Sequence, residues 1–169
     1  MIKKLYPTAY IASIFDMDVE GLKQKGIKGI IFDIDNTLVP YDVVHPTDEI
    51  VEFFAKLQEE GFKITLVSNN TKDRVMKFNE KLKVIAIHES QKPLGKGFRK
   101  ALHLMACKKE EAVIVGDQIF TDVYGGNLVG IQTILVKPVS DKDEWKTKIK
   151  RGIEKRVIRS YERKLYKGK

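Results

Sequence analysis

Apolar and polar positions along this chain follow two alternating rhythms. Short, near-continuous apolar runs rich in β-branched residues stand at 27–33 (IKGIIFD), 62–68 (FKITLVS), 84–88 (VIAIH), 112–117 (AVIVGD) and 131–136 (IQTILV). Runs of that length without polar alternation predict strands buried on both faces. Between them, apolar residues recur at helical spacing. In 47–61 (TDEIVEFFAKLQEEG), Ile50, Phe53, Phe54 and Leu57 share a face, with Thr47 placed to cap the first turn and Gly61 to end the last. Segments 70–82 and 93–106 read the same way, and 121–130 as a shorter helix. Strand and helix alternate five times, which predicts an α/β fold: one Rossmann-like domain with a five-stranded parallel sheet flanked by helices.

Composition narrows the setting. A chain of 169 residues has enough interior for one core, and a single cysteine, Cys107, excludes a disulfide framework and fits a reducing compartment. Cys107 follows the apolar-spaced Ala101, Leu102, Leu104 and Met105, so it reads as a packed thiol rather than a nucleophile. No apolar run has the length of a membrane span. The N-terminal MIKKLYPTAYIASIF is interrupted by Pro7 and followed by Asp16 and Asp18, against a signal peptide. The expected location is cytoplasmic, with a peripheral place at the inner membrane face as the alternative. The net charge of +8 is local: residues 1–141 hold 19 basic and 19 acidic side chains, and residues 142–169 hold 12 and 4. The expected division is therefore a domain over 1–141 and a basic amphipathic helix over 142–169.

In such folds ligands collect beyond the carboxyl ends of the strands. The first run ends in Asp33, Asp35, Asn36 and Thr37, and the second in Ser68, Asn69 and Asn70. Lys92 follows the third run, and Asp117 and Asp122 follow the fourth. Asp33, Asp35 and Asp117 make a hard, all-oxygen set whose like charges call for a cation, and Mg2+ suits few protein ligands plus water. An EF-hand does not fit, because position six of the loop is Leu38 and position twelve is Val44. Zinc does not fit either, since His45, His88 and His103 lack ligand spacing. A carboxylate can attack phosphorus and form an acyl-phosphate that water cleaves. Asp33 is the candidate nucleophile and Asp35, on the same side, the candidate acid and base. Mg2+ would screen the approach of two anions. Ser68 and the backbone around Asn69 are candidates to hold phosphate oxygens, and Lys92 to offset charge.

These residues resemble the motifs of haloacid dehalogenase (HAD) superfamily phosphatases. D-x-D-x-T stands as Asp33-Ile34-Asp35-Asn36-Thr37, the Ser or Thr motif as Ser68, the motif lysine as Lys92 with Lys96 as substitute, and the acidic pair as Asp117 and Asp122. The resemblance implies Asp33 as nucleophile, Asp35 as acid and base, and Mg2+ on Asp33, Asp117 and the main-chain oxygen of Asp35. It further implies Asp122 as a supporting carboxylate and Thr37, Ser68, Asn69 and Lys92 around the phosphate. Asn36 stands where many members carry glycine. With 35 residues from Asp33 to Ser68 and 24 from Ser68 to Lys92, no cap domain fits, so the site should be open to a bulky substrate or closed by another subunit. GIKGIIFDIDNTLV, SNN, QKPLGKGF and GDQIFTDVYGGNLVG are similar to a capless HAD-IIIA-type group that includes relatives of phosphatidylglycerophosphate phosphatase. That implies a lipid-borne phosphomonoester, with a nucleotide, sugar phosphate or phosphoprotein as alternatives. A non-catalytic receiver-type regulator fits less well, because receivers lack the distal Asp117 and Asp122.

In the tail, Trp145, Ile149, Ile153, Val157, Tyr161 and Leu165 recur every four residues among lysines and arginines. Three readings are open: a final helix docked by its apolar stripe, an interfacial helix on an anionic membrane, and a contact with RNA or a ribosome.

Overall fold

The structure is a computed structural model that describes residues 2–141 and 145–167, with side chains described from residue 3 to 141 and from 152 to 165. Six strands form one parallel sheet in the order β1-β6-β5-β2-β3-β4. They are β1 (Ala9–Ile11), β2 (Gly29–Phe32), β3 (Lys63–Val67), β4 (Ile85–Ile87), β5 (Ala112–Gly116) and β6 (Gln132–Val136). The five expected strands are β2 to β6. The added β1 lies at the edge, with Ala9 opposite Ile134 and Ile11 opposite Val136. Three half-buried residues following Pro7 carry too little apolar signal to read as a strand.

Both faces of the sheet are covered, which explains the unbroken apolar runs. Ile30 and Phe32 of β2 face a core completed by α1 (Val19–Gln24), α2 (Asp48–Glu59) and α3 (Lys72–Asn79), through Leu22, Phe54 and Phe78. Ile31, between them, faces the opposite side, where Phe98, Ala101 and Met105 of α4 (Lys96–Met105) pack. Half-buried Cys107 lies at the edge of that second cluster, and burial raises its thiol pKa, in keeping with a packing role. The expected caps form: Thr47 accepts from the Ile50 N–H at the start of α2, and Gly61 follows its end at φ 92°.

The segment 121–130 is more irregular than a plain helix. A π-turn, Ile119–Val123, leads into α5 (Tyr124–Val129). Between Asp33 and Lys92 the chain consists of a tight turn, α2, β3, α3, β4 and their loops, so this segment builds no separate lid over the carboxyl edge.

The last helix, α6 (Trp145–Lys167), docks through a face that shares Val157 and Tyr161 with the predicted stripe but leaves out Ile153 and Leu165. Glu154, Val157, Ile158 and Tyr161 meet the domain, while Ile153 and Leu165 are each 54% exposed. The side chains of Trp145 and Ile149 lie outside the described residues. A spacing of four advances about 40° around a helix at each step, so a six-residue series winds round it. The observed face follows i, i+3, i+4 and i+7 and stays on one side. Val157 and Ile158 pack on Ile119, Val123 and Leu135, and the Tyr161 ring lies 5.8 Å from that of Tyr6.

Candidate active site

The sheet order puts β2 beside β5, and the chain departs from β2 toward β3 on one side before returning to β5 on the other. The crevice outside such a switch point is where ligands enter parallel sheets. A cleft of about 260 Å3 opens there, lined by Asp33, Asp35, Ser68, Lys92, Gln118 and Tyr41 among others.

Asp33 follows the fully buried β2 and is pinned to β5 by its N–H, which donates to the Val115 carbonyl at 2.9 Å. The chain then turns back at once: the N–H groups of Thr37 and Leu38 both donate to the Ile34 carbonyl. Asn36 allows the turn by adopting φ 61°, a left-handed conformation that asparagine tolerates better than most residues. The turn returns the Thr37 hydroxyl to 3.0 Å from both Asp33 Oδ2 and Asp117 Oδ1. Thr37 thus sits on the carboxylates, binding β2's terminus to β5's.

Lys92 completes the cluster. Its Nζ donates to Asp33 Oδ1 at 2.5 Å and to Asp122 Oδ1 at 2.8 Å, and the residue is 9% exposed. Burial is the largest single influence and would lower the ammonium pKa, but Asp122 and Asp33 together hold it above its ordinary value. Burial pushes the Asp122 carboxyl up to about 6; Lys92 pulls it down and the Asp33 charge adds to the rise. Asp122 comes from the π-turn, with Oδ2 accepting from the Gln118 N–H at 3.2 Å. Its carboxyl packs where a Cβ on Gly116 would lie, 2.4 Å away, so the glycine of the Gly116-Asp117 pair is required by this approach.

Two further expected residues hold this frame. Asn69 Oδ1 accepts from the Lys92 N–H at 2.7 Å and from Ser90 Oγ at 2.8 Å, while its Nδ2 donates to the Lys92 carbonyl at 3.1 Å. Its side chain ties down the loop that carries Lys92. Buried Ser68 faces the cleft, its Oγ accepting from the Asn70 N–H at 3.0 Å. Lys96, weighed against Lys92, is exposed on the first turn of α4, whereas Lys92 touches both carboxylates.

Asp35 lines the same cleft, but its carboxyl turns toward α3. Oδ2 accepts from Asn70 Nδ2 at 3.2 Å and Oδ1 from Arg74 Nη2 at 3.0 Å. Burial first, and the Asp33 charge second, raise its pKa, with Asn70 and Arg74 partly offsetting the rise. Arg74 is absent from the sequence reading because a lone arginine on an amphipathic helix resembles a solvated one.

Asp33, Asp117 and Asp122 each offer a carboxylate oxygen, and these lie within 4.8 Å of one another. Among the described residues, three buried carboxylates stand with the Lys92 ammonium, and the donors are all hard oxygens. This set fits a divalent cation of the Mg2+ kind.

Comparison with known proteins places this geometry in a wider group. Residues 40–136 match the family described as haloacid dehalogenase-like hydrolase, a match that begins after the Asp33–Thr37 turn. The chain is 43% identical over 165 residues to the probable phosphatase YqeG of Bacillus subtilis (strain 168), covering 97% of this chain and 96% of that protein. It is 30% identical over 151 residues to phosphatidylglycerophosphate phosphatase 1, chloroplastic/mitochondrial, of Arabidopsis thaliana, covering 82% of this chain but only 42% of that protein. In fold it is similar to the crystal structure of a HAD phosphatase from Thermococcus onnurineus, with a TM-score of 0.57 at 16% identity over 70% of this chain and 90% of that one.

Proposed function

The chain belongs to the haloacid dehalogenase-like hydrolase family and is a phosphoric monoester hydrolase, and we propose that it works through a phosphorylated Asp33, with Mg2+, on a bulky lipid-borne substrate. The observation that carries the mechanism is the lock of Asp33, Thr37, Lys92, Asp117 and Asp122 at the crevice between β2 and β5.

Asp33 attacks phosphorus and forms an acyl-phosphate as the bond to the leaving oxygen breaks. Asp35 gives that oxygen its proton and then takes one from the water that attacks the acyl-phosphate, releasing inorganic phosphate. Its burial and its nearness to Asp33 favour the protonated form needed at the start. Thr37 orients the attacking carboxylate, and Ser68 with the backbone N–H groups around Asn69 holds phosphoryl oxygens. Lys92 offsets charge on Asp33 and on the incoming group. Asp33, Asp117 and the main-chain oxygen of Asp35 would hold the cation, supported by Asp122. When bound, it supplies charge neutralisation at the phosphoryl group.

The preference for a bulky substrate, such as phosphatidylglycerophosphate, rests on two supports. The cleft has no lid built from the 33–92 segment, and a relative covering 82% of this chain carries that substrate in its name. Exposed Lys155, Arg156, Arg159 and Arg163 on α6 suit peripheral contact with an anionic membrane. Among the described residues no helix is long and apolar enough to cross one. RNA contact through the same side chains is the weaker reading, because only charge supports it.

The test is phosphate release from lipid phosphates, nucleotides, sugar phosphates and phosphopeptides, with and without anionic vesicles. Preference for the lipid phosphate, enhanced by vesicles, is expected. Activity confined to small soluble esters and indifferent to vesicles contradicts the substrate reading.

A further inference from the structure

Arg74 reaches across from α3 to the proposed proton donor and is held at several points. Nη2 donates to Asp35 Oδ1 at 3.0 Å, and Nη1 donates to the Val44 carbonyl at 2.9 Å. Its guanidinium carbon lies 5.5 Å from the ring centroid of Phe78, a core residue on the same helix. Asn70 supplies the second contact, from Nδ2 to Asp35 Oδ2 at 3.2 Å, and is itself anchored by its N–H to Ser68 Oγ at 3.0 Å. Each oxygen of Asp35 therefore has its own donor, one from the loop before α3 and the other from the first turn of α3.

This is not how an ion pair is arranged for stability alone. The two side chains are 13% and 22% exposed, so each is largely desolvated, and Arg74 Nε is buried without a hydrogen-bond partner. A pair of that kind contributes little net stability and can be replaced by apolar groups at small cost. What it does fix is direction. Asp35 stands two residues from Asp33 and shares the cleft with the Lys92 ammonium, which could draw its carboxyl inward. The clamp holds it outward, at the wall of the cleft where a leaving group would stand.

We propose that Arg74, together with Asn70, is a positioning residue for Asp35: the two fix the plane of its carboxyl and keep it off the Asp33–Asp117–Asp122 cluster, facing the departing oxygen. This rests on the reading of Asp35 as proton donor.

The experiment compares two esters. An alkoxide leaves glycerol phosphate only with a proton, whereas 4-nitrophenolate leaves its phosphate without one. Because Asp35 also serves the later hydrolysis that both esters share, the readout is the single-turnover rate of leaving-group release. Arg74→Met should lower it about 10–100-fold for glycerol phosphate, with KM nearly unchanged, and no more than about threefold for 4-nitrophenyl phosphate. Asp35→Asn should show the same split with a larger loss, and Arg74→Lys, which keeps the charge but not both tethers, should fall between. Arg74→Met leaves the largely desolvated Asp35 without its counter-charge and should lower the thermal midpoint, so rates are compared at a temperature where each variant is fully folded. If Arg74→Met does not fold, Arg74→Lys and Asn70→Ala carry the same comparison. Equal losses on both esters, no loss, or a change in KM alone, while Asp35→Asn splits them, overturns the role of Arg74 and leaves the donor in place. If Asp35→Asn itself shows no split, the donor reading falls and the positioning role falls with it.

Discussion

Two regions of this protein bury acidic side chains, and they do so in opposite ways. At the carboxyl edge of the sheet, Asp33, Asp117 and Asp122 crowd together, with the Lys92 ammonium on Asp33 and Asp122. Where α6 meets the domain, Glu154 is 3% exposed and its Oε1 accepts from the Ile119 N–H at 2.8 Å, at the start of the π-turn. The second arrangement places a carboxylate on a backbone donor beside the apolar contacts of Val157, Ile158 and Tyr161. The first concentrates like charges that a folded chain alone would avoid. The contrast separates a region built for chemistry from one built for attachment, although only the thickness of the π-turn lies between Asp122 and Glu154's partner Ile119.

The sharpest way to break this contrast is Lys92→Met. It leaves Asp33 and Asp122 buried without their counter-charge, so the metal-free protein should lose about 3 kcal/mol of stability. Activity should fall about 10²–10³-fold. Adding Mg2+ should restore part of the stability in denaturant titrations but not the activity. An unchanged stability would mean that the cluster is not short of positive charge.

Tyr161→Ala tests the other region. Removing a 9%-exposed ring packed near Tyr6 should cost about 2–4 kcal/mol while leaving kcat at the parent value. A fall in kcat at full occupancy of the folded state would show that the helix is coupled to the chemistry. The smallest effect is expected at Ile153, on the outer side of the same helix: Ile153→Ser should change stability by no more than about 0.5 kcal/mol. A loss as large as that of Tyr161→Ala would restore the four-residue stripe as the docking face.

Ile153 and Tyr161 also mark where sequence reading succeeds and fails. Strand ends are rigid and their residues few, so Asp33, Ser68 and Asp117 could be placed on one edge from the order of the apolar runs alone. Lys92 could be placed near them, but only the loop that Asn69 ties down sets it, rather than Lys96, against Asp33 and Asp122. Helix faces demand a period known to a fraction of a residue, and a spacing of four drifts out of contact within two turns. Glu154 escaped notice for a related reason: one of four acids among the twelve basic residues of the tail looks like a solvated charge, and the Ile119 N–H it accepts from has no sequence signature. Arg74 was hidden in the same way, since its contacts run to Asp35 and to the Val44 carbonyl, both far away in the chain.

The central claim is that Asp33 carries the phosphoryl group during turnover. It is tested most directly by stopping a reaction with radiolabelled phosphomonoester in acid, reducing the protein with borohydride and sequencing its peptides by mass spectrometry. An acyl-phosphate at Asp33 would be reduced to homoserine at position 33, in proportion to the protein-bound label. Homoserine at another acidic residue, or rapid turnover with no protein-bound phosphate at any quench time, would contradict it.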